Sequence, residues 1–402
     1  MEVLQSEILA EILNFLSASE IASLMPTCKA FYCYGVKDSI WNKHCKKLFP
    51  RSAKQGTYEL FRNSVHSFLE IAETLDGILR FVNQKLTRHV LYKSVSIRAS
   101  KKLEGYYKHP HRCEESTRYN LKHLKQRFLE TAGSEMPQGL YYIYSLFDGQ
   151  ESYGMVPGLF GTYRFYNVLT NLVFLTLEKA FSLYHYPLFP IAACDFSHLH
   201  LLIDLENDLR KGKGAVFFST GISGTYLYIS PCISEYLKCY YRKLKYEVIE
   251  VGDVLINSFE KNENSSDLTT EGIRIEASSL FVPHLSTLGQ YLFVYQIRIS
   301  ANNPTKRWQL KYRTWHIQDE DGNEQEVLKQ PGVVGLYPQI YSGCDPTVYE
   351  SCTRISSTSG KMSGYFTFQN LDDPSETKDA PVGEFKLRLP EGSELVSRAH
   401  LP

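Results

Sequence analysis

Between residues 268 and 390 apolar and polar residues alternate in run after run, and a period of two is the mark of strands with one face turned to a core. Ile273, Ile275 and Ala277 form the first run, and Tyr291, Phe293, Tyr295, Ile297 and Ile299 the second. In the third, Leu310, Tyr312, Thr314 and His316 oppose Arg313, Trp315 and Ile317. Asp321-Gly322 supplies the chemistry of a hairpin turn. Tyr365, Phe366 and Phe368 lie on a later strand, and Phe385, Leu387 and Leu389 close the set. Short alternating strands at regular spacing predict a β-sandwich.

The first 50 residues follow the other period. Leu4, Ile8, Leu9, Ile12, Leu13 and Leu16 recur at helical spacing, and Ile21, Leu24 and Met25 open a second apolar run. Ser17 and Ser19 offer capping oxygens between the two, and Pro26 can start a further turn. Cys28, Phe31, Trp41, Cys45 and Leu48 continue the pattern. So short a cassette buries too little surface to be robust alone, so an apolar helix face here reads as a docking face.

The segment from 60 to 255 is mixed α and β. Leu121, Leu124, Phe128 and Leu129 make one helical stripe that stops at Gly133-Ser134. Met136-Pro137 leads into a second apolar stretch, Leu140 to Phe147, and Asp148-Gly149 signals a turn. Residues 215–218 and 226–229 read as strands flanking a Gly221–Gly224 turn. The polar segment 261–267 reads as a linker or long loop, a weaker boundary falls near 51–57, 106–115 is an irregular basic stretch, and the last dozen residues read as a loose end.

Composition narrows the function classes. A length of 402 residues suggests two or three domains. With 44 basic and 44 acidic residues, neither nucleic acid nor an anionic membrane is a favoured partner. The 28 Tyr and 22 Phe suit half-buried β surfaces. Glu2 and Glu7 sit where a secretory signal would be basic, and no apolar run is long enough to span a bilayer. The nine cysteines are scattered and odd in number, which fits reduced thiols and a cytoplasmic or nuclear setting.

The N-terminal cassette resembles an F-box. The resemblance rests on Leu4-Gln5, Glu7-Ile8-Leu9, Glu11-Ile12-Leu13, Cys28-Lys29-Ala30-Phe31 and Ile40-Trp41, with Gln5 where the family has Pro. The middle segment resembles the SUKH (Smi/Knr-type) fold through Pro137, Tyr142, Asp148, Gly149, Gln150 and the run Pro157 to Gly161. The C-terminal segment resembles an ApaG domain, an immunoglobulin/fibronectin-like sandwich. Its signature is Trp315-His316-Ile317, Asp321-Gly322, Gly332-Val333-Val334-Gly335 with Pro338, Tyr349-Glu350-Ser351 and residues 360–365, with Gln330 where the family carries a further Gly. The three in this order resemble the F-box/ApaG proteins of eukaryotes.

The expected architecture is therefore multidomain α+β: a helical F-box at 1–50, an α+β SUKH-like domain at 60–255 and an ApaG β-sandwich at 268–395. The resemblance implies a non-catalytic substrate receptor of an SCF-type (Skp–cullin–F-box) ubiquitin ligase. It would dock on a Skp-type adaptor through Leu4, Ile8, Leu9, Ile12, Leu13 and Leu16, some of which must instead pack inside the cassette. A target protein would be recruited by the two later domains, and no cofactor, metal, nucleic acid or membrane is expected. The Pro331–Gly343 loop, with Gly332, Gly335, Tyr337 and Tyr341, is the candidate binding loop; the tyrosines could equally cover the sheet. Two alternatives stay open: an interaction scaffold outside any ligase, and a phosphate or small-ligand protein working through the Gly332 loop.

Catalytic and metal patterns are thin. His109, His111 and Cys113 alternate as ligands on a strand would, with no fourth ligand nearby. Residues 211–214, Lys-Gly-Lys-Gly, lack the frame of a phosphate loop and read as a solvated hairpin. Glycines 332 and 335 lie between strands rather than before a helix, so they read as turn residues. His316 reads as a packed or hydrogen-bonded histidine and Glu350-Ser351-Cys352 as structure.

Overall fold

The computed structural model of the chain describes residues 13, 16, 21, 25, 41, 58–85, 121–150, 158–165, 168–194, 196–253, 255–302 and 306–398. The chain divides into two units, one of residues 1–84 and 89–148, the other of residues 85–88 and 149–402. The first is helical where described. It contains α1 (Tyr58–Lys85), α2 (Leu121–Ala132) and α3 (Gln138–Leu146). Ile71, Leu75, Ile78, Leu79 and Val82 of α1 are buried at helical spacing. Phe128 of α2 is buried and Gly133, at φ +63°, closes that helix by donating to the Leu129 carbonyl. Leu129 itself, expected on the buried stripe, is 52% exposed.

The second unit opens with β1 (Thr162–Phe165), β2 (Val168–Asn171), β3 (Val173–Phe174), α4 (Leu177–Ser182), β4 (Leu188–Ala193) and β5 (His200–Asp204). It continues with β6 (Val216–Ser219), β7 (Thr225–Ser230), α5 (Ile233–Lys245), β8 (Ile249–Val251) and β9 (Ile256–Glu260). Then come β10 (Ser266–Thr270), β11 (Ile273–Phe281), a 3-10 turn (Pro283–Leu285), β12 (Tyr291–Ala301), β13 (Trp308–Asp319) and β14 (Glu324–Pro331). The last are β15 (Gln339–Ile340), β16 (Thr347–Ile355), β17 (Ser359–Asn370), β18 (Thr377–Arg388) and β19 (Glu394–Ser397).

The expected sandwich is formed by one sheet in the order β10-β11-β12-β16 and another in the order β14-β13-β17-β18, with β15 also on β13. Ile273, Ile275, Phe293, Tyr295, Ile297 and Ile299 of one sheet meet Trp315, Phe366, Phe368, Phe385 and Leu387 of the other in a single core. Trp315 is its centre, edge-on to Phe366 at 5.4 Å and to Tyr295 at 5.7 Å. Strict alternation along β13 fails, because Leu310 and Trp315 are both buried while Tyr312 is 43% exposed. A bulge between Leu310 and Tyr312 in the pairing with β17 inserts one residue and switches the inward set.

The other strands of this unit form a sheet β19-β7-β6-β5-β4-β3 and a sheet β2-β1-β9-β8, in which β1 and β9 run parallel. Gln150 anchors this region: its side-chain oxygen accepts from Phe174 N–H at 3.0 Å and Leu159 N–H at 2.8 Å. The region then covers the outer face of the sandwich. Leu292 and Val294 on that face of β12 are buried with Tyr163, Phe259 and Val282. Beside this contact, Asn257 donates to Gln296 (3.0 Å), Gln296 to Glu350 (2.8 Å), and the Arg164 N–H to Glu350 (2.7 Å). Burial raises the Glu350 carboxyl, and these donors offset part of the rise.

Two expectations are corrected. Residues 261–265 form a short turn closed by Ser265 N–H on the Asn262 carbonyl at 3.0 Å, and residues 266–267 already belong to β10. Within the last dozen residues, 394–397 are not loose: β19 pairs with β7 from Glu394↔Tyr228 to Ser397↔Thr225. The signal was too short to read, since four residues of mixed polarity carry no periodicity.

The β6–β7 turn docks on the sandwich through Gly221, whose N–H donates to the Pro283 carbonyl at 2.9 Å. A Cβ on Gly221 would stand 2.6 Å from the Ser286 carbonyl oxygen, so the approach needs glycine. Next to it, burial and then the neighbouring His198 and His200 push His284 down to about 4. An unfolded histidine titrates near 6.5. Between those values the unfolded chain binds a proton that the folded chain refuses, so stability falls as pH falls through this window. Urea unfolding at pH 7 and pH 4.5 should show the wild type losing roughly 2–3 kcal/mol more than His284→Gln on acidification. Equal losses would remove His284 as the cause.

Candidate functional site

The sandwich displays one loop whose backbone is fixed from both ends. β14 pairs with β13 through Tyr312↔Pro331 and Arg313↔Gln330, and β15 pairs with the start of β13 through Trp308↔Ile340. Residues 332–338 must therefore cross from one part of the β13 edge to another. Gly332 donates to the Lys311 carbonyl at 2.8 Å and Leu310 to the Pro338 carbonyl at 2.9 Å. The Arg313 guanidinium donates to the Pro331 carbonyl at 3.2 Å and to that of Gly332. Val333 and Ile340 are buried in the sandwich core.

Between these anchors the chain makes a two-residue hairpin. Val333 and Leu336 exchange N–H to carbonyl hydrogen bonds of 2.8 Å each. The corner residues Val334 and Gly335 have φ of +47° and +78°, the signs of a type I′ turn. Gly335 suits that turn. Val334 does not, because a β-branched residue is strained at positive φ. At Gly332, also at positive φ, a Cβ would collide with the Leu336 carbonyl.

The side chains not used as anchors face solvent. Val334 is 55% exposed and Leu336 64%, with Tyr337 and Tyr341 also exposed. Lys311 Nζ lies 5.9 Å from the centre of the Tyr337 ring. The loop thus brings together Gly332, Gly335, Tyr337 and Tyr341 and adds Val334 and Leu336, which sequence reasoning missed. Two apolar residues flanking a glycine in a strand-bounded turn were their only signal. Tyr337 and Tyr341 are about half exposed, so each leaves part of its ring open to solvent. An anion cradle is not formed at Gly332, since its N–H and carbonyl are both engaged within the protein.

Of the six expected adaptor-facing residues, Leu4, Ile8, Leu9 and Ile12 lie outside the described residues. Leu13 is helical and has no exposed surface, so it packs inward and leaves the docking set. Leu16 is half-buried. Ile21, Met25 and Trp41 are buried as well, as inner residues of a small helical cassette must be.

The remaining motifs are structural or undescribed. His109, His111 and Cys113 lie outside the described residues, and among the described residues no cluster of His, Cys, Asp or Glu is placed to hold a metal ion. The 211–214 loop joins antiparallel β5 and β6, with Lys211 paired to Glu394 and Lys213 to Glu206. His316 Nδ1 lies 3.0 Å from Glu326 on the sheet surface. Among the described residues no helix is long and apolar enough to cross a membrane.

Two family models match parts of this chain. A model of F-box-like domains matches residues 6–47 and a model of the ApaG domain matches residues 284–370. F-box only protein 3 of Homo sapiens is 25% identical over 428 residues, spanning 100% of this chain and 86% of that protein. Protein ApaG of Anaeromyxobacter sp. (strain K) is 35% identical over 125 residues, 31% of this chain and 96% of that protein. The crystal structure of the putative ApaA protein from Bordetella pertussis is 27% identical, covering 30% of this chain and 94% of that one, with a TM-score of 0.28.

The strain at Val334 has a measurable consequence. Val334→Asn, a residue that tolerates the left-handed region, should raise unfolding free energy in urea by about 1 kcal/mol. A neutral or destabilising result would mean that Val334 makes compensating contacts.

Proposed function

We propose, from the premise that this chain belongs to the ApaG family through its C-terminal domain and carries an F-box-like segment at its N-terminal end, that it is the substrate-recognition subunit of an SCF-type ubiquitin ligase. The observation that carries this reading is the F-box-like segment at 6–47 within a chain that aligns along its whole length with F-box only protein 3. Residues 1–50 dock on a Skp-type adaptor, 60–255 form a SUKH-like interaction region and 268–395 the ApaG domain. The docking face comprises Leu4, Ile8, Leu9, Ile12 and Leu16. The bond-forming chemistry belongs to a conjugating enzyme held by the cullin–RING scaffold. This chain supplies proximity, raising the effective concentration of a bound target. It works in the cytoplasm, the nucleus or both.

Target recruitment is assigned to the 332–341 loop. A strained, solvent-facing valine stands where Asn or Gly would be easier, and stored strain of this kind clusters at binding sites. Apolar side chains held out by a rigid base lose little entropy on binding. The SUKH-like reading of the middle region is supported by Gln150, whose side chain joins β3 to the segment before β1.

Leu9→Asp in the full chain should weaken capture by a purified Skp-type adaptor at least tenfold, because docking would bury an unpaired carboxylate. Leu336→Asp should leave that capture unchanged. Undiminished capture of Leu9→Asp would sink the assignment of the docking face.

A further inference from the structure

The unit containing residues 149–402 holds a cavity of about 200 Å³ that neither adaptor docking nor the sandwich loop uses. One wall is aromatic. Phe160 packs edge-on against Tyr236 at 5.4 Å and Tyr240 at 5.5 Å, and the two tyrosines stand parallel at 6.4 Å. Tyr240 is locked by its hydroxyl, which donates to the Leu159 carbonyl at 2.5 Å. The opposite wall is aliphatic and aromatic, with Leu280 and Phe281 of β11. Rigid rings on one side and sheet residues on the other cannot collapse into the gap, which is why it persists.

Charge and size select what can enter. Lys243 of α5 and Glu260 of β9 line the cavity and neutralise one another at 2.5 Å, and Glu391 adds a further carboxylate to the lining. Burial also holds the Tyr236 phenol protonated far above its ordinary range. An anionic ligand would therefore enter without a counter-charge and would face the Glu391 carboxylate. Ser258 and Thr170 are lining residues as well, and they bring hydroxyl groups to an otherwise largely apolar surround. An apolar cavity of about 150 Å³ suffices for benzene, so this volume admits a ring system of two fused rings. Cys239, exposed on α5, also lines the cavity and reports on its occupancy.

We propose that this cavity is a binding site for a small, flat aromatic molecule that carries one hydrogen-bonding group and no negative charge. The experiment uses the full chain and indole as the probe. Alkylation of Cys239 by iodoacetamide, followed by peptide mass spectrometry, should slow at least fivefold at saturating indole, while alkylation of Cys344, outside the cavity, should not change. Equilibrium dialysis should show saturable indole binding that weakens at least tenfold in Cys239→Trp and in Leu280→Trp, both of which fill the space. Cys239→Trp changes an exposed helical position and keeps the test usable if Leu280→Trp fails to fold. Indole-3-acetate, which brings a carboxylate, should bind at least tenfold more weakly than indole. Absence of saturable indole binding, full binding by folded Cys239→Trp, unprotected Cys239, or equal binding of indole-3-acetate would each overturn the proposal.

Discussion

Strand β12 has to bury two opposite rows of side chains over the same few residues. Phe293, Tyr295 and Ile297 face the sandwich core, while Leu292 and Val294 face away from it. An antiparallel sheet can leave its second face to water, and most of this one does. Here that face is apolar at one end only. Further along β12 it passes to Gln296 and Arg298, which are half-buried and hydrogen-bonded to Asn257, Glu350 and Glu250. The strand therefore defines where the β1–β9 region must sit: over Leu292 and Val294, with its polar edge aligned to Gln296. Each large side chain so covered stabilises by about 1.5–3 kcal/mol before ordering costs. Breaking the Glu350 contact would leave buried polar groups unmatched.

The sandwich was legible because alternation encodes one buried face directly. The second buried face had its own signal, the unbroken apolar run Tyr291 to Tyr295, which is how a strand covered on both sides is written. Two features resist a period-two reading. The bulge beside Lys311 changes which parity points inward, and nothing local in Lys-Tyr-Arg announces an extra residue. The pairing of β19 with β7 joins residues far apart in the chain, and long-range pairing leaves no local pattern. At the N-terminal end, helical spacing placed Leu13 among apolar residues without saying which would face inward. Periodicity marks a stripe, and a small cassette must divide one stripe between its own core and any partner.

The candidate loop shows the same division of labour at smaller scale. Val333 and Ile340 are spent on the core, and the residues between and beside them project outward. The sequence Gly-Val-Val-Gly looks like a phosphate-binding turn, but backbone groups bind an anion only when free. Pairing of Gly332 with Lys311 and Arg313 commits them to shape. What remains for recognition is apolar and aromatic surface on a base with little freedom, which suits a protein partner better than an anion.

The C-terminal strand explains why the sandwich and the β1–β9 region share one unit despite their distinct sheets. After β18 the chain leaves the sandwich and adds β19 to the edge of the six-stranded sheet, where Leu395 packs against the sandwich core and Val396 against a second cluster around Phe217. Ion pairs of Glu394 with Lys211 and of Arg398 with Asp208 hold the strand at both ends. An edge strand taken from the far end of the chain caps β7, which would otherwise present unpaired backbone to other molecules. Separating the two regions would require stripping this strand, uncovering Leu292 and Val294 and breaking the Glu350 bridge together. Interactions that must fail together behave cooperatively, so the aromatic cavity, walled by residues from both regions, is held open by the same contacts that hold the unit closed.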